Sequence, residues 1–218
     1  LKSNALFGTK NYSYTETSSV SPSELMTGSA WLNQPNKSQK KYLDTEAVYR
    51  QFVYENYQTV DQGLEKTIAH LFDQDKFENT GIYSISQHIR DTLTKYMKYD
   101  EKTNTQSENV LEDFLNQKIS GNDVLFASAA VEALRHYNIP ARYVEGYLLK
   151  SDAIDEEGNA TLTSKDGHAW VEVYFDGMGW LPIDVTPGYY YDVYTLMNMV
   201  AMPQGDNSQV NIEKGHDD

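Results

Sequence analysis

The chain has 218 residues and a formal net charge of −14, with 39% hydrophobic and 12% aromatic residues. That is enough apolar material for one large domain or two small ones. The negative charge, with arginine scarce and lysine scattered, argues against nucleic acid or an anionic membrane surface as partner.

No run approaches the roughly 20 apolar residues of a membrane span, and no signal peptide opens the chain. Leu1 is no natural start, so the chain reads as an excised or processed piece. Cysteine is absent, which leaves the redox compartment undecided. The 17 tyrosines read as amphipathic core and rim residues in preference to a sugar- or peptide-binding face.

Residues 1–43 form a poorly defined N-terminal arm, rich in Ser, Thr, Asn and Lys. Short strand pieces are expected at 5–14 and 26–31, with Trp31 anchoring the arm. The core domain is expected over 44–203. Asp44 and Thr45 can cap a first helix, with Tyr49, Phe52, Val53 and Tyr57 inward. Gly63 breaks it, and Leu64, Ile68, Leu71 and Phe72 mark a short second helix. Residues 84–97 carry Ile85, Ile89, Leu93, Tyr96 and Met97 on one stripe of a third. His88 beside that stripe reads as a packed or surface histidine. A polar link, 99–107, leads to a helix over 108–117 with Val110, Leu111, Phe114 and Leu115 inward.

The stretch 121–147 organises the rest. Gly121, Asn122 and Asp123 supply turn and cap chemistry, and a helix follows. Val124, Ala127, Val131 and Leu134 share one face, and many small residues predict close packing. Asn138 suits a left-handed C-terminal position and Pro140 forbids continuation. Residues 142–149 then read as a strand. Chemistry is expected at the helix N-terminus, where free N–H groups and the macrodipole favour an anion.

An acidic loop follows, with Asp152, Asp155, Glu156, Glu157 and Gly158. It lacks the ligand spacing of a helix–loop–helix calcium site and reads as a solvated turn. Residues 168–175 alternate, with Ala169, Val171, Val173 and Phe175 on one face and His168, Trp170, Glu172 and Tyr174 on the other. Asp176-Gly177 signals a hairpin, and 180–185 is the return strand. This pairing puts His168 near Asp184. Tyr189, Tyr190, Tyr191 and the run 196–202 are apolar enough to dock, and 204–218 reads as a loose tail. The whole is α+β: helices first, then an antiparallel sheet packed on the central helix.

Two blocks resemble the transglutaminase-like superfamily, in its bacterial extracytoplasmic form with a papain-like Cys-His-Asp core. One is the run from Gly121 through Leu134-Arg135 to Ile139-Pro140-Ala141-Arg142-Tyr143-Val144-Glu145-Gly146-Tyr147. The other is Gly167-His168-Ala169-Trp170-Val171-Glu172-Val173-Tyr174, then Gly179-Trp180 and Asp184-Val185-Thr186-Pro187. The resemblance implies a triad of Cys, His and Asp performing amide acyl transfer or hydrolysis. His168 and Asp184 match two of its positions. The third, the nucleophile, is Asp123.

A carboxylate attacks amides poorly: the tetrahedral adduct expels the carboxylate more readily than the amine, so the mixed anhydride hardly forms. The acyl-transfer mechanism is therefore expected to be lost, leaving a degenerate triad, Asp123-His168-Asp184. Other readings of that cluster are a structural helix cap, a divalent-metal site and a water-activating hydrolase. The leading functional reading is a non-catalytic module for a peptide, protein or cell-wall ligand. The alternatives are an active cysteine enzyme whose nucleophile is replaced in this chain alone, and a purely structural domain. No cofactor and no bound metal are expected. The resemblance implies an extracytoplasmic or cell-surface location and a membrane-anchored parent protein.

Overall fold

A computed structural model describes residues 32–72, 81–103, 107, 109–117, 120–149, 153–156 and 159–189. The strand pieces expected at 5–14 and 26–31, Trp31, the tyrosines after Tyr189, the run 196–202 and the tail 204–218 lie outside the described residues. So do Asp152, Glu157 and Gly158 of the acidic loop. The described helices are α1 (Lys37–Asn56), α2 (Glu65–Leu71), α3 (Ile82–Tyr96), α4 (Val110–Gln117) and α5 (Asp123–His136). The strands are β1 (Lys98–Tyr99), β2 (Ser120–Gly121), β3 (Ala141–Tyr147), β4 (Gly167–Phe175) and β5 (Gly179–Ile183). The class is α+β, as the sequence predicts.

Helix α5 is the centre of the core. Between Leu125 and Leu134 only Ser128 and Glu132 escape full burial. Ala127, Ala129, Ala130 and Ala133 have no bulk beyond Cβ, so neighbouring elements approach closely on several sides. It packs against β3 and β4 and against α2, α3 and α4. Val124, predicted to lie on the inward stripe, is instead exposed, because it lines an open cleft at the start of α5. Asn138 adopts the left-handed conformation expected of it, with φ of 58°.

The entry to α5 is fixed by a short parallel pair, Lys98 with Ser120 and Tyr99 with Gly121. Gly121 has no room for a side chain: a Cβ there would stand 2.5 Å from the Phe114 ring. The three-stranded sheet runs β3-β4-β5, antiparallel throughout, with Gly146 opposite His168 and Val171 opposite Ile183. Ala169, Val171, Val173 and Phe175 are buried, as alternation requires. The hairpin turns at Gly177, whose φ of +76° suits glycine. His88 is a packed histidine, edge-on to Phe72 and Tyr137. The described part of the acidic loop is a turn in which Asp155 accepts from the Asn159 N–H at 2.7 Å.

Helix α1 departs most from expectation. It begins at Lys37, ahead of Asp44, because Asn36 and Gln39 form a reciprocal capping box. The expected boundary between arm and core at 43/44 therefore falls inside a helix. Tyr49 and Phe52 of its predicted inner stripe remain exposed, while Val53 and the charged Glu46 are buried. Glu46 is inward because it answers buried donors. Its Oε1 accepts from the Tyr174 hydroxyl at 2.7 Å and from the Gly177 N–H at 3.1 Å. Arg50 stands 3.6 Å from its other oxygen and 3.1 Å from Asp176. This network also explains why Tyr174, on the face expected to be open, is buried.

Replacing Glu46 should therefore cost more than a surface change. Glu46→Ala leaves two buried donors without an acceptor, a loss of about 1–3 kcal/mol. Glu46→Gln, which keeps an acceptor oxygen, should lose less than half of that. Urea unfolding of the two variants measures the difference, and equal losses would show that the acceptor is not what matters.

Candidate functional site at the start of helix α5

Asp123 is the first residue of α5, and it is not the cap that the sequence offered as one reading. Asn122 is the N-cap: its backbone is extended and its side chain accepts from the Leu125 N–H at 3.3 Å. That leaves the Asp123 carboxylate free to reach across to the sheet. Its Oδ1 accepts from the Val124 N–H at 3.0 Å. Its Oδ2 accepts from the Ala169 N–H at 2.8 Å and lies 3.0 Å from Nδ1 of His168.

On the opposite edge of the imidazole, His168 Nε2 lies 2.5 Å from Asp184 Oδ2. Asp184 leaves the end of β5 beside β4, and its other oxygen accepts from the Thr186 N–H at 2.9 Å. The structure thus brings Asp123, His168 and Asp184 together, with the ring between the two carboxylates. His168 and Asp184 are each only 7% exposed. Tyr189 stacks on the imidazole at 4.3 Å between centroids and 20° between planes. Trp170 lies nearly parallel to it at 6.3 Å. Tyr99 meets Tyr189 edge-on, joining the site to the short β1–β2 pair.

Burial pulls the His168 pKa down, but hydrogen bonds to Asp123 and Asp184 and the attraction of their charges outweigh it. The result is a pKa raised to about 9. Asp123 moves the other way. Burial pushes its carboxyl up, yet His168 and the Ala169 and Val124 N–H groups hold it below the usual carboxylate range. At neutral pH the site is therefore carboxylate–imidazolium–carboxylate, with both ring nitrogens donating. The imidazole separates the carboxylates, so the three side chains do not converge on one point where a metal ion could sit.

Asp123 and His168 open onto a cleft of about 410 Å³ whose other walls include Val124, Glu145, Gly146, Tyr147 and Ser164. Sequence reasoning missed Glu145, Tyr189 and the Ala169 N–H. Period-two spacing with Tyr143 and Tyr147 could have placed Glu145 on the cleft side of its strand. The Pro187-Gly188 turn could have suggested that Tyr189 folds back; its N–H bonds the Thr186 carbonyl at 3.0 Å. The backbone donor carried no sequence signal.

The linkage sign follows from the raised pKa. The stabilisation from His168 should be fully present below the unfolded value of about 6.5 and lost as pH rises through about 9. Its full size is on the order of 3 kcal/mol. Asp123→Asn should bring the His168 pKa down, because one anionic partner becomes neutral. An NMR titration of the His168 ring in both proteins tests this, and a wild-type value below 6.5 would overturn the ion-triad assignment.

Comparison with known proteins finds similar structures and sequences. A 23% identical solved structure, the periplasmic domain of TgpA from Pseudomonas aeruginosa, superposes with a TM-score of 0.49, covering 67% of this chain and 48% of that one. In sequence, the chain is 38% identical over 87 residues to the uncharacterised protein YebA of Bacillus subtilis (strain 168). It is 39% identical over 77 residues to a protein-glutamine gamma-glutamyltransferase of Pseudomonas aeruginosa. These matches take in 38% and 35% of this chain and span only 12% and 11% of the two relatives. The profile of the transglutaminase-like superfamily matches residues 73–185, just over half of the sequence and a range that contains the ion triad, and the chain belongs to that superfamily.

Proposed function

We propose that the chain is a transglutaminase-like module that binds a peptide, protein or cell-wall ligand without transforming it. The observation that carries this reading is the state of Asp123. Its two oxygens are engaged by two backbone N–H groups and an imidazolium, and it replaces the one atom that amide acyl transfer cannot do without. His168, with its pKa raised to about 9, is protonated at neutral pH and holds no lone pair with which to act as a base. The cleft beside the triad remains open to a ligand. We assign the module to an extracytoplasmic or cell-surface setting, in a membrane-anchored parent, as its resemblance to bacterial members of that type implies.

One observation favours a second reading. The His168–Asp184 pair, at 2.5 Å, keeps the orientation that an acid–base histidine needs beside a nucleophile at 123. An acyl-transfer enzyme carrying Cys at that position would find its partners already in place. The γ-glutamyl transfer named for the Pseudomonas relative belongs to that relative, and would come to this fold only with such a nucleophile.

Three assays separate the readings. The chain as it stands should give no release or exchange of ammonia from a glutamine peptide supplied with a primary amine. Turnover that disappears in His168→Ala would overturn the non-catalytic reading. Asp123→Cys should introduce a thiol alkylated at pH 6–7 at least about tenfold faster than a free cysteine, because the helix N-terminus and His168 stabilise the thiolate. Titrating the isotope-labelled chain with soluble muropeptides and synthetic peptide pools should shift cleft amides at 145–147 and 167–169. If no ligand moves them, the structural-domain reading takes over.

A further inference from the structure

Among the described residues the sheet ends at β3, and the backbone tells which of that strand's groups face away from β4. The Tyr174 N–H donates to Pro140 O at 3.1 Å, and the Leu148 N–H donates to Asp166 O at 2.8 Å. Even-numbered residues of this stretch thus turn their backbone groups toward β4. The Ala141 N–H instead donates outward, to Tyr57 O at 3.1 Å, and Ala141 O accepts from Arg135 Nε at 3.1 Å. By the alternation of an antiparallel ladder, the N–H and C=O groups of Tyr143, Glu145 and Tyr147 also face away from β4. Among the described residues no strand pairs with that edge. The side chains of the same three residues fall on one face, the Ala169 and Val171 side, and Glu145 and Tyr147 line the cleft.

Natural sheets blunt an open edge with proline, lysine, bulges or short strands. The open part of this edge, 143–147, contains no proline or lysine. Its one acidic residue is Glu145, which accepts from the Tyr143 hydroxyl at 2.6 Å. The strand then leaves through three consecutive apolar residues in the open, Tyr147, Leu148 and Leu149, at 53%, 38% and 46% exposure. Across the cleft, Val124 is 39% exposed. Such a run is unfavourable in water and needs no exposure to support the core.

We propose that the open edge of β3 takes up an extended peptide as an added strand, with a basic side chain opposite Glu145 and apolar side chains against Tyr147 and Val124. This deepens the binding-module reading and rests on it. Main-chain pairing with Tyr143, Glu145 and Tyr147 supplies the affinity, and the cross-strand neighbour of Glu145 supplies the selection. Charge decides the occupant. A second copy of this chain would set an acidic edge against its own kind, within a molecule of net charge −14. A peptide bearing lysine or arginine meets Glu145 favourably, and the aliphatic stem of that residue packs between Tyr143 and Tyr147.

The test uses three capped seven-residue peptides alternating valine and threonine about a central residue. One has lysine at the centre, one has glutamate, and one is the lysine peptide N-methylated at alternate amides. Each is titrated into the isotope-labelled full chain. The lysine peptide should move the amides of Tyr143, Glu145 and Tyr147 and bind roughly fivefold or more tighter than the glutamate peptide. N-methylation should weaken it by about tenfold or more, through the lost main-chain bonds. Glu145→Lys, a change at an exposed residue, should reverse the charge preference, with the thermal midpoint measured alongside because the bond from the Tyr143 hydroxyl is lost.

Equal binding of the lysine and glutamate peptides would overturn the proposal, and so would indifference to N-methylation or the absence of any saturable shift on β3. These failures are distinct from failure of the binding-module reading. Muropeptides that move Gly167–Ala169 but not β3 leave a module with a different ligand. Catalytic turnover by the unaltered chain removes the non-catalytic reading and leaves the strand-addition result standing.

Discussion

The imidazolium of His168, held between two carboxylates, is the interaction on which the arrangement of this domain depends. It joins three segments that meet at one point: the first turn of α5, the start of β4 and the chain leaving β5. Burying three charges is costly, and an ion pair repays that cost only when the remaining lone pairs are also satisfied. Here they are, by the N–H groups of Val124, Ala169 and Thr186. The first of these belongs to the unsatisfied donors at a helix start, so the macrodipole acts in the same direction. Neither the helix nor the sheet could shift along the other without breaking a charge-assisted bond.

The same geometry accounts for the difference between a thiol and a carboxylate at residue 123. A catalytic histidine must exchange a proton with its nucleophile during the reaction, which requires that the two compete for it closely. With a carboxylate on each side, the proton is held on the ring up to about pH 9. The Asp123 pKa moves down as that of His168 moves up, so the pair is driven apart in affinity for the proton. Features that would prime a thiolate here trap a carboxylate. In the non-catalytic reading proposed above, the three side chains act as a clamp.

Much of this was legible in the sequence where local chemistry and burial point the same way. The alternation from Ala169 to Phe175, the left-handed Asn138, the hairpin at Gly177 and the nearness of His168 to Asp184 all follow from period, turn type and pairing. What escaped depends on long-range satisfaction. Glu46 reads as a solvent residue on a helix, yet Tyr174 and Gly177, far along the chain, make it a buried acceptor. Asp123 and Asn122 are both good caps by residue type. Only the direction of the chain into α5 decides that Asn122 caps and Asp123 crosses to Ala169. Tyr49 and Phe52 look like an inner stripe by spacing, but the capping box at Asn36 and the demand of Glu46 set the rotation of the helix.

A cleft beside the ion triad is not by itself a sign of use. Its position follows from the packing of α5 on β3 and β4, through Ala127, Ala130, Val171 and Val173, and stability alone would keep that packing. The informative residues are those the core does not need. Val124, Glu145, Tyr147, Leu148 and Leu149 are all exposed and lie outside the buried core, so polar replacements there would cost the fold less than in the core. Exposed apolar side chains next to unpaired strand edge are instead a liability for solubility. The core explains the cleft's shape, and it is the rim that the proposed ligand would have to explain.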